Sequence, residues 1–439
     1  MAIQGWVVRT LGVHLLIIIA MASTRPMVSY RALDLGATNA QLGMIAGSYA
    51  LLSLFLAIPT GRWVDRWGEP RFLTLGALLV MASGVWLTQI TSLALLAAAT
   101  ATLGFGHLTM MVGMQTIMSN GGDPAHRDSR IGAMTVVAAV AFVVGPGLAG
   151  FVAEAPWGGL ITIFAATGVL GAVGAAFAVS VWIRPPASHE VRSAPQEARE
   201  PALRAIGSTL RVPGVLQAMI ASMAALASAD IVIAFLPAYG EANGIAVSTV
   251  GLLLSVFSAA AMASRATVVH LLRWFGHRLL LTLCVALFGV ALALVATTTV
   301  PLMIGILLFI GGFANGLAQP LTLSWIAGRI PPRNRGVAIG IRLSGNRAAQ
   351  FVIPIGVGAL AGLMGLGLIF VTLAAMLLGS GVLVARAPSE GLQQGRVGAA
   401  RRARVAAEAT TDRDATAGDT SPNRSDPDDR DERDDQATA

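Results

Sequence analysis

The stretch GRWVDRWGEPRF, residues 61–72, packs Arg62, Asp65, Arg66, Glu69, Arg71 and a proline into a dozen positions. The chain on either side is free of charge, with LLSLFLAIPT (51–60) before it and LTLGALLVMASGVWLTQ (73–89) after it. A brief charged interruption between long apolar runs is the pattern of a turn at a water boundary, joining two segments that sit in lipid. A bilayer core of about 30 Å takes about 20 apolar residues per helix.

The same pattern recurs along the whole chain. Its 439 residues are 55% hydrophobic and only 12% charged, whereas soluble domains carry about 25% charged residues. That supply of charge cannot clothe a surface facing water. Apolar runs fall at 6–27, 39–60, 72–90, 93–117, 131–153, 159–183, 213–238, 247–270, 279–298, 301–326, 336–362 and 366–386. They predict an all-α membrane protein with twelve transmembrane helices. A closed β-barrel would need alternating strands of about ten residues, and these runs are continuous and twice as long. The first run, Arg9 followed by LGVHLLIIIAMA and Ser23, imitates a secretory signal. It reads as a retained first helix, because many further spans follow.

Arginine placement gives an orientation. With the N-terminus inside, Arg62, Arg66, Arg71, Arg127, Arg130, Arg273, Arg278, Arg329, Arg333, Arg335 and Arg386 fall in inner loops, and Arg31 stands nearly alone outside. A multi-pass protein of the cell inner membrane with both termini cytoplasmic is expected. All 30 basic residues are arginine, a compositional bias rather than a chemistry. The single Cys284 excludes an intrachain disulfide and a cysteine-rich metal site. No phosphate-binding loop exists, since there is no lysine to complete one. No catalytic triad or metal constellation stands out, so no enzyme activity, metal, cofactor or nucleic-acid partner is expected.

The spans divide into two six-helix bundles, residues 1–183 and 213–386, joined by a polar cytoplasmic linker at 184–212. Residues 387–439 hold 8 arginines against 12 acids, a net −4 that leaves +11 on the rest of the chain. With nothing apolar to bury, they read as a disordered cytoplasmic tail. Its segment RVGAARRAR (396–404) either rests on anionic lipid or is simply solvated. The halves are related by a repeat: Gly36, Gly43 and Gly68 recur as Gly244, Gly251 and Gly276, a constant offset of 208. DPAHRDSRIGAM (123–134) also resembles PPRNRGVAIGI (331–341). Two parallel repeats about a shared centre are the layout of a secondary transporter.

On these residues the chain resembles the major facilitator superfamily. Its loop between helices two and three reads Gly-x-x-x-Asp-Arg-x-Gly-Arg-(Arg/Lys), matched here by Gly61, Asp65, Arg66 and Gly68. Glu69 and Pro70 stand where basic residues are usual, and Arg71 takes the place of one of them. The resemblance implies a latch that closes the inner side, in which Asp65 meets the positive N-terminus of helix eleven. Arg342 is expected to pair with Asp65 there. Span five resembles the Gly-x8-Gly-x3-Gly-Pro-x2-Gly-Gly signature of drug/proton antiporters through Gly132, Gly145, Pro146 and Gly150, with Ala141 and Ala149 replacing glycines. That likeness implies a sealed pathway and proton-coupled efflux. Span four, LGFGHLTMMVGM (103–114), lacks the arginine usual in proton antiporters.

Ionisable groups inside spans cost about 2.5–3.5 kcal/mol each and mark pathways. Asp230 lies about 26 Å along helix seven and is the carboxylate set most deeply within a span. Arg25 lies at similar depth on helix one, so the two are expected to pair, and either Asp230 is a proton carrier or both groups sit wet at the outer interface with Arg25 snorkelling. On span eleven Arg342, Asn346 and Gln350 form one polar stripe, with Arg347 beside it near the bilayer centre. Arg347, Asn346 and Gln350 are assigned to a pocket for a carboxylate or phosphate. Gln319, Asn315 and His107 are further lining candidates, because the resemblance puts spans one, four, seven and ten around the cavity. His107 reads equally as a packing residue, and Met110, Met111 and Met114 as core or as an adaptable wall. The functional expectation is a monomeric, alternating-access exporter of a small amphipathic or anionic compound, with protons as partner and lipid as surroundings. Uptake of an anionic metabolite, or a sensor that moves nothing, are the alternatives.

Overall fold

The computed structural model of the chain describes residues 5–183, 207–330 and 335–387. The expected linker up to residue 206 and the tail from residue 388 lie outside the described residues. Among these there is no β-strand. The first six helices are α1 (Gly5–Asp34), α2 (Asn39–Trp67), α3 (Glu69–Leu87), α4 (Leu93–Asn120), α5 (Arg127–Glu154) and α6 (Leu160–Ile183). Then follow α7 (Val215–Ala242), the helical stretch Val247–Val295, α10 (Pro301–Arg329), α11 (Arg335–Met364) and α12 (Gly367–Ala385). The stretch Val247–Val295 breaks at Gly276, whose φ of 67° and ψ of 167° no helix contains. It is therefore two helices, α8 (247–275) and α9 (277–295), which makes twelve long helices among the described residues.

Ten of the helical stretches are long and apolar enough to cross a membrane, with Val247–Val295 counted once. The stretch outside that count that pairs with them is α11, which carries Arg335, Arg342 and Arg347. Large apolar side chains stand exposed along these helices, Phe55 at 67% and Leu302 at 76% for example. Water would penalise such a surface, whereas lipid accepts it. This is a multi-pass membrane protein.

The charged stretch 61–72 is hardly a loop. Helix α2 runs on through Arg62, Asp65 and Arg66 to Trp67, and α3 begins at Glu69, so a single residue makes the turn. That residue is Gly68, at φ 88° and ψ 146°, a region essentially closed to residues with a Cβ. Gly276, 208 residues later, adopts the same kind of conformation between α8 and α9. Backbone geometry thus repeats with the sequence.

Packing repeats as well. In lipid, helices associate where small residues let backbones approach. A Cβ on Gly43 would run into Pro354 and Gly358, which seats α2 against α11. A Cβ on Gly251 would lie 2.5 Å from the Pro146 carbonyl and 3.1 Å from Gly150, which seats α8 against α5. Pro146 and Gly150 recur as Pro354 and Gly358 at the offset of 208, so the two seams are equivalent. Both join the first six helices to the last six, and both lie toward the arginine-poor end. Asn39 strengthens one by donating to the Ala361 carbonyl at 3.2 Å. On the same helices near the arginine-rich end, Gly61, Gly132, Gly336 and Gly340 have nothing within 4 Å of a would-be Cβ. Helix α7 is the most enclosed of the apolar helices, and α1 packs on it between the halves.

Candidate functional site

Helix α1 continues past the expected end of its apolar run to Asp34, which carries Arg25 well inside it, one residue before Pro26. Its Nη1 lies 2.8 Å from Asp230 Oδ1 on α7, with the two side chains only 14% and 13% exposed. Asp230 Oδ2 accepts a hydrogen bond from Gln350 Nε2 on α11. Gln350 Oε1 in turn accepts from Arg347 Nη1 at 3.0 Å. On the other side of Arg25, its guanidinium carbon sits 4.4 Å from the centroid of the Tyr49 ring on α2. The Tyr49 hydroxyl is 2.8 Å from His107 Nδ1 on α4 and 2.6 Å from Met21 Sδ on α1. One polar chain therefore runs His107–Tyr49–Arg25–Asp230–Gln350–Arg347 across both halves.

Each link has a physical reason. A guanidinium in a dry interior needs a counter-charge and a polarisable face, and Asp230 and Tyr49 supply them. The Gln350 amide presents a donor to the anion and an acceptor to the second cation, so a neutral side chain bridges two opposite charges. A cavity of about 20 Å³ beside Arg25, Ser29, Tyr49 and Thr100 has room for one water. Arg25 and Arg347 against Asp230 leave the chain with one surplus positive charge.

A second polar group lies within the last six helices. Ser222 Oγ on α7 donates to Asn346 Oδ1 at 3.1 Å, and Gln319 Nε2 on α10 donates to the Ser222 carbonyl at 3.2 Å. Arg342 Nη2 donates to Gln319 Oε1 at 2.6 Å, to the Gln319 carbonyl at 3.2 Å and to Thr322 Oγ1 at 3.1 Å. In this structure Arg342 is not paired with Asp65. Arg342 is 6% exposed and turned toward α10, while Asp65 is exposed at the end of α2. A guanidinium seven residues, about two turns, into α11 is closer to neutral acceptors on α10 than to a carboxylate at the end of α2. No acid faces Arg342 among the described residues.

Of the residues singled out in the sequence, Arg25, His107, Asp230, Arg347 and Gln350 meet in the first chain, and Gln319, Arg342 and Asn346 in the second group. Asn315 joins neither; its Oδ1 is buried without a partner in α10. Gly145 packs on α1, its carbonyl accepting from Ser23 Oγ at 2.9 Å, and Gly150 packs on α8. Gly132, like Gly61, Arg66 and Arg71, stands at the arginine-rich end away from both polar groups. Met110 and Met114 are fully buried packing residues. The sequence reading passed over Tyr49, Met21, Ser222 and Thr322. A tyrosine in mid-span, in a chain with only 3 of them, was the available signal.

The sequence model of the Major Facilitator Superfamily matches residues 10–229 and 218–411. The chain belongs to this superfamily of transporters. A superfamily member from Mycobacterium tuberculosis, an uncharacterised MFS-type transporter, is 33% identical over 144 residues, which is 31% of this chain and 32% of that protein. The quinolone resistance protein NorA of Staphylococcus aureus is 24% identical over 140 residues, 32% of this chain and 36% of NorA. The matches thus span about a third of these relatives' lengths. Among solved structures, the nucleoside transporter NupG superposes with a TM-score of 0.73 at 14% identity, covering 87% of this chain and 99% of NupG. A bacterial homologue of the human lysosomal transporter Spinster, inward-facing and occupied, gives 0.68 at 14% identity, covering 86% and 93%. Superfamily membership fixes the architecture as two pseudo-symmetric six-helix bundles and places the protein among transporters rather than enzymes.

Proposed function

We propose that this protein is a proton-coupled exporter of a small amphipathic or anionic compound, working by alternating access about the chain His107–Tyr49–Arg25–Asp230–Gln350–Arg347. The observation that carries the reading is that this chain crosses between the bundles at mid-depth with a surplus positive charge. An anion entering beside Arg347 gains a charge-assisted contact and competes with Asp230 for the guanidinium groups. Protonation of Asp230 would release Arg25 and uncouple the bundles at that point, so proton and substrate act on one link. Export is supported by the glycine–proline seam on α5 and by the resistance function in the name of NorA.

With both termini in the cytoplasm of a cell whose inner membrane holds the protein, the arginine-rich end faces inward. Bundles 1–183 and 213–386 then meet tightly at the outer end along α2–α11 and α5–α8. The latch of Gly61, Asp65, Arg66, Gly68 and Arg71 closes the inner end in the opposite state, with Asp65 against the N-terminus of α11 rather than against Arg342. The protein acts as a monomer on a diffusible substrate.

The test is flux in proteoliposomes under an imposed pH gradient, paired with a susceptibility and accumulation screen of deletion against overexpression. Export predicts accumulation on deletion, and flux that follows the gradient in wild type but not in Asp230→Asn. Accumulation on overexpression would establish uptake, and full gradient dependence in Asp230→Asn would remove that residue from proton coupling.

A further inference from the structure

We infer that the outer flank of the first bundle holds a specific site for an anionic phospholipid, in the leaflet at the arginine-rich end. A groove of about 570 Å³ opens there between α2, α3, α4 and α6. Its wall is aromatic: Trp63 stacks on Trp67 at 6.1 Å and 15°, and Trp67 on Phe72 at 6.1 Å and 11°. The single-residue turn at Gly68 is what brings Trp67 of α2 face to face with Phe72 of α3. Across the groove, Arg71 lies 5.7 Å from the centroid of the Trp182 ring.

Two features select the occupant. The groove lies on the flank of helices whose exposed apolar surface faces acyl chains, so hydrocarbon fills it. Tryptophans at the level of the charged turn sit where a bilayer's headgroup region begins. From Arg71 the groove descends to Leu78, seven residues or about 10 Å along α3, which is depth for an acyl chain and not for a headgroup. Arg71 is the single charged residue among the described lining residues; Asp65 and Glu69 belong to the same turn but do not line the groove. The polar atom of Thr74 is already satisfied by the Pro70 carbonyl at 2.9 Å. One guanidinium held beside an indole, above an apolar slot, recognises a lipid phosphate that carries net negative charge.

Full-length protein reconstituted in phosphatidylcholine bilayers tests this through tryptophan quenching by lipids brominated on the acyl chain. At equal small mole fraction, brominated phosphatidylglycerol should quench about fivefold more effectively than brominated phosphatidylcholine, the factor expected from one arginine near an anionic lipid. Unbrominated phosphatidylglycerol should relieve the quenching, and inorganic phosphate should not. Arg71→Gln should bring the ratio to about one, and Arg71→Lys should restore most of it. Equal quenching by the two lipids in wild type, which requires no variant to fold, would overturn the site. Relief by inorganic phosphate would replace the lipid with a soluble anion, and a ratio unchanged in Arg71→Gln would move the selectivity elsewhere.

Discussion

Arg25 and Asp230 form the one ion pair that ties the first six helices to the last six among the described residues, at 2.8 Å. Both are largely enclosed, so each depends on the other for charge compensation. Removing one partner of such a pair strands the other, at a cost of about 3–5 kcal/mol, whereas removing both is far milder. Arg25→Gln and Asp230→Asn should therefore each destabilise the protein strongly, and the double variant should recover a large part of the loss. A double-mutant cycle on thermal unfolding in detergent measures this. Additive effects of the two substitutions would show that the pair contributes nothing as a pair.

Arg347 has a neutral partner, Gln350, where Arg25 has an anion. If a substrate anion is what completes its coordination, Arg347→Gln loses a charge-assisted hydrogen bond worth about 1.5–3 kcal/mol. The expected result is a KM raised about tenfold or more with a smaller change in kcat, and a partial rescue by Lys. An Arg347→Gln variant with unchanged KM would take this residue out of substrate binding.

Much of this architecture is legible without coordinates, and the reason is the solvent. Lipid forces each span to be long, continuous and apolar, so span number and the offset of 208 can be read directly. Which faces meet is another matter. Helices apolar all round carry no stripe that marks their buried side, and the seams are marked only by small residues such as Gly43, Gly150, Gly251 and Gly358. The Arg25–Asp230 pairing followed from their similar depth on helices related by the repeat, because two opposite charges facing each other in one dry interior have few other partners. For Arg342 depth alone gives no rotation about the helix axis, and rotation is what turns it to Gln319 in this structure. The mid-span position of Tyr49 is legible in the sequence, but for the same reason its contact with Arg25 is not.

The close seams make a conformational prediction. A Cβ at Gly150 would sit 2.8 Å from the Val247 carbonyl and 2.9 Å from Ser248 Cα; at Gly358 it would sit 2.7 Å from the Asn39 carbonyl and 2.9 Å from Gly43 Cα. Backbone cannot swing aside as a side chain does, and overpacking costs about 1–3 kcal/mol. Gly150→Ala and Gly358→Ala should each push the population toward the state open at the arginine-poor end. Spin-label distances between the ends of α5 and α8, and of α2 and α11, would lengthen. Unchanged distance distributions would mean that the seams tolerate the methyl.

The link between α4 and α5 carries a pH dependence. Asp123 accepts from the Ala125 N–H at 2.9 Å and faces His126 Nδ1 at 3.2 Å. The backbone hydrogen bond first, and His126 with it, hold the carboxyl below its usual value. A depressed acid contributes order that is complete above the ordinary carboxylate range and is lost as pH falls through the lowered value. Amide exchange across 125–130, corrected for intrinsic rate, should therefore be slow at neutral pH and faster in strong acid, and Asp123→Asn should be insensitive. Equal protection across that range in wild type would contradict the assignment.

Gly68, Gly276 and Gly61 separate backbone strain from function at the charged turn. Gly276 has nothing within 4 Å of a would-be Cβ, so Gly276→Ala meets no clash and its whole cost is the conformation, about 1–3 kcal/mol. Gly68→Ala, with its nearest neighbour at 4.0 Å on Pro70, should cost the same, and the two losses should be alike because the turns are repeats. Gly61 is helical and equally open, so Gly61→Ala should be neutral or add up to about 1 kcal/mol. If Gly61 serves as the point where α2 approaches α11 in the opposite state, Gly61→Ala will nonetheless slow transport while the folded protein grows no weaker. Thermal unfolding and flux measured on the same preparations separate these effects. A Gly61→Ala protein that transports at the wild-type rate would leave this glycine without a role in the latch, whatever Gly68 does.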